Sequence, residues 1–559
     1  MNKIENNPIK ALFFKIEGTL AYQQKDIESA QDLILRMIDV LGVDCQPADF
    51  AEKLIKGESE YQTWSEKYFV DLAPEEKWSR FLLRDLSKEL IREHAHTLEK
   101  LWRESQAGWQ LAEGVVNTLQ ELSDRGYTLA TISRNSLKHL QGETFLDLFC
   151  ARVQPNNTKR YQPHSGLLLE AAAQCNLSPD ECAYIGDRPS RDVIGAREAG
   201  LREVILLKNQ YTTEDKTPCP MQADAQLSDM TELLDCYPPL NGSNAHRKAL
   251  KISPVLFDAA LSTINWNRER ISINEFFEIG RELGFARFEL NHQIPLEVYE
   301  QIDFNRYYIS SLHNPCPAIQ HMKKLEKEDK ILTSVDEKLR QVGVDVLKNT
   351  IEHAYRLGAR NIVIHSGRVT GDESMDLELR KLFRAGKQNT HEFRVLRERM
   401  IADRKERGKP HLEALVRSLS EIVGFAEGTN ILLGIENLMY YYEFPTFEEI
   451  QVLLETFDQP WIGWHFDVGH LEIMANLGLE SIPHWLDAFD KRMVGIHLHD
   501  VNGIDDHFAP GDGKIDFSVV GPRLQPFTQV TVEVKPFVST QEIRAGLPVL
   551  EDTGCIARL

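Results

Sequence analysis

The sequence lacks several features that would assign it to a special class of protein. Its 559 residues include eight cysteines, but these form no CxxC pair and show no regular spacing. No apolar run approaches the ~20 residues that a helix needs to cross a bilayer. We find no internal repeat and no low-complexity tract. We therefore expect reduced thiols, no membrane association and a cytoplasmic location.

Positive charge is also scarce. The chain has 64 Lys and Arg against 85 Asp and Glu, for a net charge of −21. Because nucleic acids and anionic membranes attract broad basic surfaces, this balance argues against both as partners, although a local basic cleft stays compatible with it. The length predicts two or three domains, and the 42% apolar composition is that of a globular protein.

The first part of the chain alternates strands and helices. Its strand candidates are ALFF, YTLATIS, ECAYIGD and EVILL, which start at residues 11, 127, 181 and 203. A long amphipathic helical excursion separates the first two strands. This order predicts an α/β domain with a doubly wound parallel sheet and chemistry at the carboxyl ends of its strands.

Three motifs of this part resemble those of the haloacid dehalogenase-like (HAD) superfamily, over residues 8–237. ALFFKIEGTL is similar to the first family motif, TISRN to the second and IGDRPSRD to the fourth. The resemblance implies a helical cap at about 22–106. It also implies that Ser133 is the phosphate-binding hydroxyl and that Asp187 and Asp192 are Mg²⁺ ligands.

The departures from these motifs concern the chemistry itself. Lys15 stands where the family has its nucleophilic Asp, Glu17 stands at the general acid, and Gln162-Pro163 replaces a Lys-Pro pair. An ammonium group neither attacks phosphorus nor holds Mg²⁺. Beside Asp187 and Asp192, its charge would instead replace the metal. Our hypothesis is a domain inactive as a phosphatase that serves as a scaffold, a regulatory module or a sensor of phosphorylated ligands.

Residues 238–248 combine Pro, Gly, Asn and Ser and are the best candidate for a linker. The remaining residues, 249–559, suit a (β/α)₈ TIM barrel with one insertion. Eight strand candidates support this fold. They are AALSTI (259–264), ARFEL (286–290), YYISSLH (307–313), NIVIH (361–365), ILLGIE (431–436), IGWHFD (462–467), VGIHLH (494–499) and QVTVEV (529–534).

Most of these strands end on a side chain that binds metal ions. Because a parallel barrel gathers the carboxyl ends of its strands around one mouth, such side chains converge in space. The motifs LHNP, IHSG, GIEN, FDVGH, HLHD, DDHFAPGDGKIDF and VEVKP, in this order, resemble the xylose isomerase-like barrel superfamily. That superfamily holds sugar isomerases and epimerases as well as the endonuclease IV group.

The resemblance implies a divalent ion, which would be Mn²⁺, Mg²⁺, Co²⁺ or Zn²⁺. Its ligands would be Glu436, Asp467, His497 and Glu533. In the endonuclease IV branch, a second set of residues completes a three-zinc cluster. In this chain the matching residues would make further metal or substrate contacts, and they are His313, His365, His470, Asp505 and His507. We expect one bound ion, and the sequence leaves open the alternative of up to three ions.

Two carboxylates beside a metal-bound sugar can take and return a proton on carbon, so Glu436 and Glu533 are the candidate catalytic pair. We expect His499 and Asp500 to orient His497. For Glu289 two positions stay open, one at the mouth and one in an ion pair at the rim.

Three functions remain. The first is a metal-dependent isomerase or epimerase acting on a sugar, a sugar phosphate or a related polyol, as a monomer or a homo-oligomer. The second is an endonuclease IV-like phosphoesterase, against which stand the acidic charge and the lack of a glycine-rich loop after the first barrel strand. The third is a binding or biosynthetic protein that does not turn over common sugars.

One stretch is basic within this acidic chain. Residues 368–409 carry twelve Lys and Arg against eight Asp and Glu. Two interpretations stay open: a solvated pair of surface helices, or a lid that draws an anionic substrate towards the barrel mouth.

Overall fold

The computed structural model describes residues 9–23, 27–68, 72–104, 109–133, 144–154, 164–208, 215, 217–240, 255–267, 269–371 and 373–559. The chain divides after Pro254 into two compact units. Most of the proposed linker, residues 241–248, lies outside the described residues. Pro238 and Leu240 hydrogen-bond to Tyr127 and Arg125, so the first unit extends at least to Leu240.

The first unit is built on a six-stranded parallel sheet, which confirms the predicted doubly wound α/β fold. The strands are β1 (Ala11–Lys15), β4 (Thr128–Ile132), β5 (Phe149–Val153), β6 (Cys182–Gly186), β7 (Glu203–Leu207) and β8 (Ala225–Leu227), in the order β5-β4-β1-β6-β7-β8. A separate two-stranded antiparallel sheet is formed by β2 (Ala21–Gln23) and β3 (Trp109–Leu111). The central strand β1 is buried along its whole length, as its apolar run predicts.

Helices fill the segment between β2 and β3. They are α1 (Ile27–Leu41), α2 (Pro47–Tyr68), α3 (Pro74–Lys77) and α4 (Lys88–Glu104), and they form the predicted helical excursion. The other helices of the unit are α5 (Val115–Asp124), α6 (His164–Gln174), α7 (Ile194–Glu198) and α8 (Leu233–Cys236).

One pair of cysteines departs from the expectation of reduced thiols. Cys150 in β5 and Cys175 just after α6 form a disulfide, with their Cα atoms 6.3 Å apart. The spacing of cysteines in the sequence does not reveal this pairing, because it depends on how α6 returns to the edge strand β5.

The second unit is a closed barrel of eight parallel strands, as predicted. They are β9 (Phe257–Ser262), β10 (Phe285–Leu290), β11 (Tyr308–His313), β12 (Asn361–Ile364), β13 (Leu432–Glu436), β14 (Ile462–Asp467), β15 (Met493–Leu498) and β18 (Gln529–Val532). A short antiparallel hairpin of β16 (Asp500–Asn502) and β17 (Asp505–Phe508) follows β15. Every predicted barrel strand overlaps an observed one.

Helices surround the barrel. They are α9 (Ile273–Leu283), α10 (Leu296–Tyr299), α11 (Met322–Lys327), α12 (Glu337–Arg356), α13 (Ser374–Arg384), α14 (His391–Ala426), α15 (Phe447–Thr456), α16 (Val468–Asn476), α17 (Ile482–Phe489) and α18 (Thr540–Asp552). In β14, Trp464 and Phe466 join the apolar cluster that contains Trp485 of α17. The alternate residues His465 and Asp467 therefore face the barrel interior.

The basic stretch forms α13 and the first half of α14. Its cations pair with nearby carboxylates, as in Arg380–Asp376, Arg404–Glu449 and Arg407–Asp403. Because carboxylates neutralise these cations, the pairs argue against a lid that attracts anions, and the burial of Arg380 and Arg404 shows that the stretch is not solvated throughout. Within the described ranges, no helix is long and apolar enough to cross a bilayer.

Candidate metal centre

Four side chains converge at the carboxyl ends of the barrel strands. The Nδ1 atom of His497 lies 3.2 Å from Oε1 of Glu436, 3.5 Å from Oδ2 of Asp467 and 3.0 Å from Oε2 of Glu533. All four residues are buried. Ligand atoms held ~2.1 Å from one ion lie about 3.0–3.4 Å from their neighbours. The spacing suits a divalent cation held by His497 with Glu436 and Asp467, whose ligand atoms lie within 4.8 Å of one another, and His497 forms a second such group with Glu533 and Glu289.

Two further groups flank this set. On one side, Nε2 of His365 and Nε2 of His313 lie 2.8 and 3.4 Å from Oε2 of Glu436. On the other side, the side chains that gather around Asp467 are His470, His499 and His507. Each flanking group shares a carboxylate with the central four, which is the arrangement that bridged metal ions require.

The buried carboxylates have oxygen atoms that the surrounding protein does not satisfy. Among the described residues, neither Oε2 of Glu436 nor Oδ2 of Asp467 has a hydrogen-bond partner of good geometry. Buried polar atoms are normally paired, so such atoms need a ligand. A mixed set of carboxylates and imidazoles accepts Mn²⁺, Mg²⁺, Co²⁺ or Zn²⁺. The residues present thus fit a divalent metal.

The pKa shifts of the side chains in the centre also fit a bound cation. Burial alone would raise the pKa of Glu436 and Glu533, but His365 and His497 hold the pKa of these carboxyls well below its usual range. Conversely, burial would lower the pKa of His497, whereas Glu533 and Glu289 raise it well above the ordinary value. The carboxylates are thus anionic, and a bound cation would replace the proton on the imidazole.

The hairpin β16–β17 places His507 over the centre. Its ring stacks on His499, with centroids 4.0 Å apart, and its Nε2 atom lies 3.3 Å from Oε2 of Glu533. His507 has a φ of +62°, in the left-handed region that favours glycine. A strained backbone of this kind persists only where surrounding contacts fix it, and such sites are often functional.

The prediction for His499 and Asp500 as partners of His497 is wrong. Nε2 of His499 lies 2.9 Å from Oδ1 of Asp467, and its Nδ1 accepts the backbone N–H of His507. The carboxylate of Asp500 accepts the backbone N–H groups of Val501, Gly511 and Ile515. Asp500 therefore fixes the loop that follows the hairpin, and His499 belongs to the group around Asp467.

The expectation for Asp505 also needs correction. Its carboxylate is exposed and accepts a hydrogen bond from Arg384 at 3.0 Å, whereas Asp506 is buried with Oδ2 2.7 Å from Nδ1 of His507. Strict alternation along β17 would place residues 505 and 507 on one face. The left-handed backbone at His507 breaks that alternation, so Asp506 takes the inward position.

Two residues of the site were missed or left open. Glu289 is fully buried, with Oε1 3.0 Å from Nε2 of His497, so of the two expected positions it takes the one at the centre in the barrel mouth rather than an ion pair at the rim. The ring of His292 lies beside those of His313 and His365, with centroids 4.8 and 5.6 Å apart. Its place two residues after a barrel strand was the only signal in the sequence.

The first unit brings together all five residues of its predicted site. Lys15 is buried, forms an ion pair with Asp187, and places Nζ 3.5 Å from Oδ2 of Asp192. The hydroxyl of Ser133 donates to Oε1 of Glu17 at 2.8 Å. An ammonium thus lies between the two carboxylates that the family motif implies as Mg²⁺ ligands. Gln162 and its neighbours lie outside the described residues.

Comparison with known proteins agrees with this division of the chain. Residues 277–532 match the family described as xylose isomerase-like TIM barrel, and residues 9–200 match the haloacid dehalogenase-like hydrolases. The chain is therefore a haloacid dehalogenase-like domain followed by a xylose isomerase-like TIM barrel.

Individual relatives are distant. An uncharacterized protein of Sinorhizobium fredii is 24% identical over 267 residues, which are 47% of this chain and 72% of that protein. A glyceraldehyde 3-phosphate phosphatase of Methanopyrus kandleri is 27% identical over 126 residues, or 22% of this chain and 54% of the phosphatase. The 3-keto-D-glucoside 4-epimerase of E. coli is 15% identical, with a TM-score of 0.37, covering 53% of this chain and 99% of the epimerase.

Proposed function

We propose that the barrel is a divalent-metal-dependent isomerase or epimerase that acts on a sugar, a sugar phosphate or a related polyol. One observation carries this proposal. Glu436 and Glu533 approach the same imidazole nitrogen of His497, at 3.2 and 3.0 Å, from separate strands of the barrel. A substrate bound at this point would have a carboxylate on each side.

The two glutamates provide what a proton transfer on carbon requires. Each is a buried carboxylate, the type of side chain that accepts a proton from a carbon beside a carbonyl group when it acts as a general base. Glu436, Asp467, His497 and Glu533 would hold the metal, which would supply positive charge to stabilise an enediolate oxygen. One carboxylate removes the proton and the other returns it, on the opposite face in an epimerase.

The flanking imidazoles suit the remaining hydroxyls of a sugar. His313, His365 and His470 surround the central four residues, and each ring nitrogen either donates or accepts a hydrogen bond. The buried barrel interior excludes water from the reacting carbon. This arrangement positions a polyol without a large basic surface, in agreement with the acidic chain.

A multinuclear phosphoesterase is the second candidate, and one specific observation favours it. The flanking groups each contain enough ligands for an additional ion, with Glu436 and Asp467 shared between groups. Bridged ions placed in this way stabilise both oxygens of a phosphoryl displacement. Binding of a sugar without turnover is the third candidate.

For the first unit we propose a non-catalytic role. An aspartyl-phosphate mechanism needs a carboxylate nucleophile, and Lys15 occupies that position with its ammonium against Asp187. Hydrolysis of phosphomonoesters by the full chain that is abolished in Lys15→Ala would contradict this role.

Deuterium exchange tests the isomerase proposal without knowledge of the product. Sugars and sugar phosphates are incubated with the protein and Mn²⁺ in ²H₂O, and incorporation at carbon is followed by NMR. Glu436→Gln should lower the exchange rate by about 10²–10⁴-fold. Glu449→Gln is the matched control, because this buried glutamate pairs with Arg404 outside the centre.

Full exchange activity in Glu436→Gln would contradict the proposed catalytic pair. An absence of exchange with every sugar, together with metal-dependent cleavage of DNA at abasic sites, would instead favour the phosphoesterase.

A further inference from the structure

Glu289 is a buried acidic residue of the barrel that contacts the candidate metal centre but has no part in the proposed mechanism. It lies on β10, is fully buried, and contacts three side chains from three other strands. Its Oε2 atom accepts hydrogen bonds from the hydroxyls of Ser311 at 2.7 Å and Thr531 at 3.2 Å. Its Oε1 atom lies 3.0 Å from Nε2 of His497. All three contacts suit an anionic acceptor.

The two nitrogens of His497 face different groups. Nδ1 faces Glu436, Asp467 and Glu533, whereas Nε2 faces Glu289. A neutral imidazole that offers Nδ1 to a cation carries its proton on Nε2. That proton then points at the carboxylate of Glu289. Glu289 thus contacts the edge of the ring opposite to Glu436 and Asp467, although its carboxylate also lies within 4.8 Å of ligand atoms of His497 and Glu533.

The charge of Glu289 is held in place by its surroundings. Three donors face its carboxylate, namely the hydroxyls of Ser311 and Thr531 and Nε2 of His497. The hydroxyls of Ser311 and Thr531 fix the orientation of the carboxylate. Glu289 is therefore a stationary negative charge behind the imidazole.

We propose that Glu289 is a positioning residue for the metal centre, which holds His497 with its proton on Nε2 and Nδ1 open to the cation. The proposal rests on the proposed metal dependence of the barrel. A carboxylate behind a ligating histidine fixes the tautomer and increases the basicity of the ligand, and its loss typically weakens metal binding 10–100-fold.

The test is the affinity for Mn²⁺, measured by titration calorimetry on the full chain after removal of metal. Glu289→Gln keeps the size of the side chain and an oxygen that accepts from Nε2, but it removes the charge. We expect its dissociation constant for Mn²⁺ to rise about 10–100-fold. Glu449→Gln is the control, because it weakens a buried ion pair with Arg404 and should lower stability without changing the affinity.

Thermal unfolding of the metal-free variants separates a role in metal binding from a structural role. An unchanged Mn²⁺ affinity in Glu289→Gln would overturn the inference while leaving the metal centre intact. A loss as complete as that in His497→Ala would also overturn it, because Glu289 would then be a ligand itself. If the wild-type chain bound no Mn²⁺, both the proposed function and this inference would fail.

Discussion

The two units place buried carboxylates at the ends of parallel strands, but they balance the charge in different ways. In the first unit, Asp187 and Asp192 share the ammonium of Lys15. In the barrel, Glu436 and Asp467 face imidazoles, and Nε2 of His365 lies 2.8 Å from Oε2 of Glu436 without a hydrogen bond of good geometry. The first site carries its own permanent cation, whereas the proposed function of the second site requires one from solution.

The difference shows why similar strand-end geometry does not imply similar chemistry. A buried carboxylate needs a counter-charge, since the desolvation of an unpaired charge is large. A lysine provides that charge and simultaneously blocks a metal. Imidazoles provide it only while protonated, so they can release it when a metal binds.

The largest effect on stability should come from removing the internal cation. Lys15→Ala leaves Asp187 and Asp192 buried without their ammonium, and breaking such a pair typically costs about 3–5 kcal/mol. Mg²⁺ should restore part of this loss, because the two carboxylates would then face an empty cation position. Urea unfolding with and without Mg²⁺ measures both effects.

Lys10→Ala is the control for this experiment. The ion pair between Lys10 and Glu181 has a 40% exposed lysine, so its loss should change the free energy of unfolding by about 1 kcal/mol or less. A Lys15→Ala protein that is as stable as the wild type, or that does not respond to Mg²⁺, would remove the contrast between the two sites.

A smaller effect is expected at Glu443, which lies near the mouth of the barrel. Burial raises the pKa of its carboxyl to about 7, above the ordinary value near 4.5. A group with a raised folded-state pKa contributes stability below pH 4.5 that is lost as the pH rises through about 7. Glu443→Gln should therefore be more stable than the wild type at pH 8, by about 1–3 kcal/mol, and similar to it at pH 4.5.

Thermal unfolding at the two pH values measures this difference. The amide oxygen of the substituted side chain would still accept the backbone N–H of Tyr440, a bond that Glu443 makes at 3.0 Å in the wild type, so the comparison isolates the charge. Equal stabilisation of the variant at both pH values would show that the charge of Glu443 is not the cause.

The smallest effect is expected at Asp505. It is exposed and pairs with Arg384, and such surface pairs contribute about 0–1 kcal/mol. Asp505→Ala should leave the metal content unchanged, whereas Asp506→Ala should alter the binding of a metal ion near His507. If Asp505→Ala lost metal and Asp506→Ala did not, Asp505 would be a metal ligand, which is one of the two kinds of contact that the sequence predicts for it.

The barrel strands, and the positions of the central four residues at or next to the ends of four strands, were predictable because the signal is local. Each strand is a short apolar run, and the side chain at its end faces the mouth whatever the packing of the helices. The inward position of the Asp506 side chain was not predictable, because it depends on the left-handed backbone at His507. Glu289 was visible at the end of a strand, but its contact with His497 depends on the cross-barrel geometry.

The first unit shows a similar limit. Lys15 in the first motif was enough to predict an ammonium near Asp187 and Asp192, because the motif fixes these three positions relative to one another. Strand β5 was missed, since its five residues lie at the edge of the sheet and include exposed ones. The pairing of Cys150 with Cys175 follows from that edge position and from α6.

Metal content per chain tests the central contrast most directly. It is measured by elemental analysis on protein purified without chelator, for the wild type, Asp467→Asn and Asp187→Asn. We predict at least one divalent ion in the wild type, its loss in Asp467→Asn and an unchanged content in Asp187→Asn. A wild type without metal, or an ion that is lost only in Asp187→Asn, would contradict the account.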